Sequence, residues 1–166
     1  IEIIHVSEKQ NIELLAKYSN EDIYVEKGYE KWISKSVSLF LIIINVDAYH
    51  KRYNEIDKIT SKKSTDWETP YWYVDAGAAM MNCMLLIEEA GLRSGFLGSH
   101  NMSNDKIKKH LSIPDEYLLL GFITAGVENE SKNNTKTVLG CFKLPACTIR
   151  CLRIHQNLRH HSSSEW

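Results

Sequence analysis

The sequence predicts an α+β domain, and three observations carry that class. Two continuous apolar runs, residues 37–46 (VSLFLIIINV) and 117–125 (YLLLGFITA), read as strands buried on both faces. Residues 72–90 are apolar almost all round at helical spacing, which predicts a long buried helix. Strands and helices mix without a regular β-α-β repeat or an internal duplication, which separates the chain from doubly wound folds.

The elements follow in order. Residues 1–6 are rich in isoleucine and valine, as a strand requires. Ser7 and Gln10 have the S-x-x-Q spacing of a capping box, and Ile12, Leu15 and Tyr18 share a face, so a helix is expected over about 8–19. Residues 20–26 are polar and read as a loop; Tyr29, Trp32 and Ile33 suggest a short helix after it. The strand at 37–46 leads into residues 47–73, a polar stretch expected to be irregular. It holds six of the chain's sixteen aromatics: Tyr49, Tyr53, Trp67, Tyr71, Trp72 and Tyr73. Such a group either covers a ligand or packs the edge of the core.

In the long helix, Ala76 to Ala79 are small enough for a neighbouring element to approach closely, and three of the chain's four methionines fill its apolar surface. Gly91 suits the position just past its end. Residues 93–98 (RSGFLG) form a strand or turn with glycines near its end. Ser103 can cap a helix with Asp105 in its first turn and Ile107 and Leu111 on its buried face, stopped by Pro114. The strand at 117–125 follows, and residues 128–137 read as a polar loop.

Composition narrows the function classes. A length of 166 residues suits one domain, and 43% apolar residues with 8 glycines and 3 prolines exclude disordered and collagenous chains. With 20 basic and 21 acidic residues there is no net pull toward nucleic acid or anionic membrane. The longest nearly uncharged apolar stretch, 38–46, is far short of the roughly 20 residues of a spanning helix. No leader-like segment opens the sequence, so a soluble, cytoplasmic protein is expected, with no nucleic-acid or membrane partner.

Cys141, Cys147 and Cys151 crowd the last 26 residues together with His155, His160 and His161, while Cys83 lies in the long helix. Without a leader, a disulfide framework is the weaker reading. Cys147, Cys151 and His155 recur every four residues and would line one helical stripe, but the spacing matches no zinc-finger pattern, and no metal is expected. Arg150, Arg153 and Arg159 read as a solvated basic end. No phosphate-loop, H-E-x-x-H, G-x-S-x-G or paired C-x-x-C signature occurs. The pair Glu88–Glu89 is explained by its place at a helix end.

Four stretches in order, YNEIDK (53–58), W-x-x-PYWYVDAGAAMMN (67–82), EEAGLRSGFLG (88–98) and LSIPDEYLLLGFITAG (111–126), resemble the nitroreductase family of flavin enzymes. The resemblance continues upstream through LFLIIINVD and covers most of residues 1–127; residues 128–166 then stand apart as a polar loop and an atypical Cys/His-rich tail. It implies a nitroreductase-like α+β fold, a mixed sheet flanked by helices, in which the long helix forms the core of a homodimer. It also implies FMN at each subunit interface, reduced by NAD(P)H and oxidised by a nitroaromatic, quinone or similar acceptor. Flavin N5 makes and breaks the bonds in that chemistry, so no catalytic side chain is assigned. In the family, the turn after this helix brings backbone N–H groups to the N5 and O4 edge of the flavin. Here that turn falls on Leu97, Gly98, Ser99 and His100. The aromatics between Tyr49 and Tyr73 become candidates for covering the acceptor.

Residue 1 lines up with the family's first internal strand. The family's N-terminal segment that grips the FMN phosphate is therefore expected to be lacking, with Lys143 and Arg150 the nearest substitutes. The alternative reading is a catalytically silent dimeric remnant of the fold that binds flavin weakly or not at all.

Overall fold

The computed structural model describes residues 1–58 and 62–127, all within the unit Ile1–Glu130, one of the two into which the chain divides. Among these residues four strands build one sheet. They are β1 (Glu2–Val6), β2 (Ser38–Asn45), β3 (Arg93–Gly98) and β4 (Tyr117–Gly126), in the spatial order β1-β2-β4-β3. Every described pairing is antiparallel, where a mixed sheet was expected. The two apolar runs are the two central strands, as continuous hydrophobicity demands of strands with both faces covered.

The two faces carry separate cores. On one, Leu39, Leu41, Ile43, Leu119 and Phe122 pack with Ile12, Leu15 and Ala16 of α1 (Lys9–Tyr18), with Ile33, and with Ile107 of α5 (Asn104–His110). On the other, Ile42, Ile44, Ile123 and Ala125 pack with Ala76 and Ile87 of α4 (Tyr71–Glu89). Each fully buried aliphatic side chain contributes about 1.5–3 kcal/mol, so β2 alone anchors both layers.

Along β4 the alternation breaks. Leu119 and Phe122 share one face although three positions separate them, and the pairing with β2 skips from Ile43↔Leu119 to Ile42↔Gly121. This is a β-bulge, and Gly121 sits in it with φ +143°. A Cβ at Gly121 would lie 2.1 Å from the Leu97 carbonyl oxygen of β3. No L side chain fits there, and the bulge needs this glycine.

Four local expectations change. Helix α1 begins one residue later than the capping box requires: Glu8 is the N-cap, without a side-chain cap bond, and its carboxylate accepts from Asn11 Nδ2 at 3.1 Å instead. The expected loop at 20–26 contains a short helix, α2 (Glu21–Glu26). Only Glu21 of α2 is buried, so there is no apolar stripe to read. The short helix expected around Tyr29–Ile33 does not form. The N–H groups of Trp32, Ile33 and Ser34 all donate to Glu21 Oε1, at 2.9, 2.7 and 3.1 Å, so this segment is held by a carboxylate that is 3% exposed. Finally, α3 (Val46–Tyr53) occupies the start of the polar stretch expected to be irregular. Asn45 caps it by accepting from the Ala48 N–H at 2.8 Å, and His50, Lys51 and Arg52 lie at its carbonyl end.

Helix α4 forms as expected, but among the described residues it is not fully enclosed. Ala76 and Ile87 are buried, whereas Val74, Met81, Leu85 and Leu86 remain 57%, 51%, 56% and 50% exposed. Its end is a Schellman motif: Leu92 N–H donates to Ile87 O at 3.2 Å and Gly91 N–H to Glu88 O at 3.0 Å, with Gly91 at φ +81°. That turn delivers the chain directly into β3. No helix among the described residues is long and apolar enough to cross a membrane.

The bulge makes a clean prediction. Gly121→Ala should lower unfolding stability by more than about 2 kcal/mol, because β4 or β3 must shift to admit the methyl group. Gly95→Ala, whose added Cβ meets only Thr124 Oγ1 at 3.3 Å, should cost less than half as much. Urea denaturation of both variants checks the ranking; equal losses would contradict it.

Candidate functional site

The residues selected from the sequence lie together where β3 ends. Leu97 and Gly98 are its last two residues, and Ser99 and His100 open a one-turn 3-10 helix, Ser99–Asn101. Leu97 packs onto the first core, whereas His100 is exposed, so the chain passes from core to surface within these four positions. Gly98 pairs with Gly121 across the sheet, which puts two residues without side chains opposite one another. A Cβ at Gly98 would sit 3.3 Å from His100 Nδ1. That place is bordered by the His100 ring, and Phe96 Cε1 lies 3.9 Å from it. The first N–H groups of such a turn have no acceptor within it. Backbone donors beside a residue that carries no Cβ of its own could hold the acceptor edge of a flat heterocycle.

Polar contacts tie the strand and turn at both ends. At the start of β3, Glu88 Oε1 accepts from the Ser94 N–H at 2.7 Å and from the Ser94 hydroxyl at 3.0 Å, while Glu88 Oε2 accepts from Arg93 at 3.0 Å. Burial alone would raise the Glu88 pKa, but donation from Ser94 and Arg93 outweighs it and holds the carboxyl below the usual carboxylate range. At the far end, Met102 N–H donates to Ser99 O at 3.0 Å, and Ser103 N–H donates to Tyr18 O at 2.8 Å. Ser103 is the N-cap of α5 as expected, but its side chain makes no cap bond. The Asn20 side chain donates to Asn101 O at 2.5 Å. Gly121 and Asn20 were not among the candidates. A lone glycine inside an apolar strand was a readable signal for the first, and nothing in the sequence pattern marks the second.

The aromatics between Tyr49 and Tyr73 form one cluster. Tyr49 stacks on Tyr53 at 4.5 Å and meets Trp72 edge-on at 5.8 Å, while Trp67 meets Tyr53 at 5.3 Å and Tyr71 at 5.6 Å. His50 sits 4.9 Å from Trp72 and shares a 2.8 Å hydrogen bond with Ser64, which is buried. The rings fill one another's surfaces and fasten α3 to the start of α4, the arrangement of a packed edge. Tyr49 donates to Asp75 Oδ2 at 3.0 Å. Its phenol pKa is pushed up by burial first, then by hydrogen bonding with Tyr53 and Asp75, so the proton stays on at neutral pH.

Burial likewise raises the Cys83 thiol, which keeps it protonated rather than nucleophilic. Among the described residues, no group of histidine, cysteine, aspartate and glutamate could hold a metal ion. The stripe of Cys147, Cys151 and His155, and the basic candidates Lys143 and Arg150, lie outside the described residues.

The Glu88 anchor predicts a pH signature. A carboxylate with a lowered folded-state pKa stabilises the fold above its unfolded value of about 4.3, and that contribution is lost as pH falls through the folded value. Glu88→Gln should therefore be less stable than wild type at pH 7, with the gap closing in acid. Urea midpoints across this range test it, and a gap independent of pH would contradict the anchor.

With this geometry established, the chain can be set beside known proteins. The nitroreductase family model matches residues 5–127. Among solved structures, the chain is similar to an FMN-dependent nitroreductase from Clostridium difficile, with a TM-score of 0.55 and 19% identity over 79% of this chain and 65% of that one. It is also similar to an NADPH:FMN oxidoreductase from Vibrio harveyi complexed with NAD+, with a TM-score of 0.54 and 16% identity over 78% and 50% of the two chains. A nitroreductase-like protein from Streptococcus mutans gives 0.58 and 18%, over 80% and 69%. The chain thus spans only 65% and 50% of the length of the first two of these structures. No protein of curated function matches the sequence significantly. The family match takes in nearly all of the described sheet and its helices, and the chain belongs to the nitroreductase family.

Proposed function

We propose that this chain is an FMN-dependent oxidoreductase of the nitroreductase type, built on domain 1–127 and acting as a cytoplasmic homodimer. It passes electrons from NAD(P)H to a nitroaromatic, a quinone or a similar small acceptor. The observation that carries this reading is the side-chain-free backbone at Gly98, at the head of an exposed turn in a domain of this family. FMN, when bound, supplies a ring position that accepts and returns a hydride. The chain's own part is to bind and orient. Gly98 lets the main chain approach the ring edge, and outward-facing N–H groups within the stretch Leu97, Gly98, Ser99 and His100 donate to it. Such donors stabilise added negative charge, so they favour the reduced cofactor.

The exposed apolar residues of α4 support the dimer. Val74, Met81 and Leu85 recur at helical spacing and, with Leu86, leave more apolar surface open than a small monomer usually presents. Burying that face against a second copy would enclose the helix that its composition expects to be enclosed.

Two measurements test the reading. Purified protein mixed with FMN and desalted should retain flavin absorption at about one per subunit and should oxidise NADH or NADPH when an acceptor is added. Protein that stays colourless would sink the enzyme and leave a flavin-free relative of the fold. For the dimer, Leu85→Glu places a charge on the exposed stripe and should halve the sedimenting mass while leaving the circular dichroism unchanged. A wild-type monomer would contradict the assembly.

A further inference from the structure

Asn20 occupies an uncommon backbone position. With φ +57°, it is one of two described non-glycine residues in the left-handed region, at the corner between α1 and α2. Glycine is the default there, and asparagine is one of the few other residues that adopt it routinely. At this corner its side chain has a visible partner. Its Nδ2 donates to Asn101 O across 81 residues of sequence.

The neighbouring contacts make this a clamp. Two residues before Asn20, Tyr18 O accepts from Ser103 N–H at 2.8 Å. The corner therefore grips the chain at Asn101 and again at Ser103, immediately after His100. Between the two grips Ser19 is 1% exposed, so the corner itself is rooted in the interior. The backbone that follows Gly98 is otherwise exposed at His100, and the ladder to β4 ends at Gly98. Beyond that point, the contacts of Asn20 and Tyr18 and the packing of Met102 on the first core fix where the turn lies.

We propose that Asn20 is a positioning residue for flavin binding: its amide holds the Ser99–Asn101 turn so that the outward-facing N–H groups within the stretch from Leu97 to His100 stay aimed at the cofactor. This rests on the flavin reading of that turn given above. Asn20 does not touch the cofactor. Its effect travels through one hydrogen bond to a carbonyl of the turn.

The isolating variant is Asn20→Gly in the full chain, because glycine adopts φ +57° without strain and lacks only the donor. Asn20→Asp is the second variant, since aspartate also tolerates this conformation but presents acceptors to the Asn101 carbonyl. Three quantities are read: the urea midpoint, the FMN dissociation constant from flavin fluorescence, and the flavin midpoint potential. Amide hydrogen exchange at residues 99–101 is followed in protein without added FMN. For Asn20→Gly the urea midpoint should stay near wild type, exchange at 99–101 should quicken, FMN affinity should fall about tenfold and the potential should move lower. Asn20→Asp should show the same pattern. Unchanged exchange in Asn20→Gly would show that the turn is held otherwise and would overturn the proposal. Wild-type binding with unchanged affinity and potential in Asn20→Gly would overturn the role of Asn20 alone. Wild-type protein that takes up no FMN would overturn the flavin reading and the role of Asn20 with it.

Discussion

The approach of the Leu97 carbonyl to Gly121 sets the geometry on which the rest depends. Two neighbouring strands come closer there than any Cβ allows, because the bulge in β4 turns its backbone toward β3. The same bulge shifts the phase of β4 by one residue, which is why Leu119 and Phe122 serve one core while Ile123 and Ala125 serve the other. A straight strand would place Phe122 and Ile123 on the wrong layers. The local backbone conformation and the division of the interior are thus one feature seen at two scales.

That division also explains the two kinds of helix surface. The layer of α1 and α5 is closed within the described unit, with Ile12, Leu15 and Ile107 all buried. The layer of α4 is half open. Its inward stripe covers Ile42, Ile44 and Ile123, and a second stripe through Val74, Met81 and Leu85 has no described element over it. A helix apolar on both sides cannot be satisfied by one sheet face, and water around the open stripe carries an unfavourable hydration free energy that covering the stripe would remove.

Much of this was legible in the sequence, and each failure has a physical cause. The central strands and α4 were readable because burial on both faces leaves a continuous apolar run. Gly91 was readable because a helix end needs a left-handed residue. Helix α2 was missed because it buries almost nothing, so no apolar period marks it, and α3 was missed because the helical spacing of Val46, Tyr49 and Tyr53 is short and set in a polar stretch. What organises α2 is polar, Glu21 gathering three N–H groups, while α3 is capped by Asn45 and held by its tyrosines against Trp67 and Trp72. The Asn20 contact spans 81 residues, so no local window contains both of its partners. The candidate turn itself was found through resemblance to a family, while its supports were not.

Those supports answer a difficulty that an edge strand always poses. Among the described residues β3 pairs on one side only, and a slip of one residue would exchange the faces of Phe96 and Leu97 and carry Gly98 away from Gly121. Six residues of ladder hold such a strand weakly. Glu88 fixes its beginning through Ser94, and the close contact at Gly121 fixes its middle-to-end, since only one register puts the Leu97 carbonyl over a residue without a Cβ. Beyond the ladder, the α1–α2 corner takes over. The functional candidates therefore sit on a surface turn, yet their position is inherited from buried or well-anchored groups on both sides. A binding edge made of backbone has no side chains to adjust, so its accuracy must come from this support.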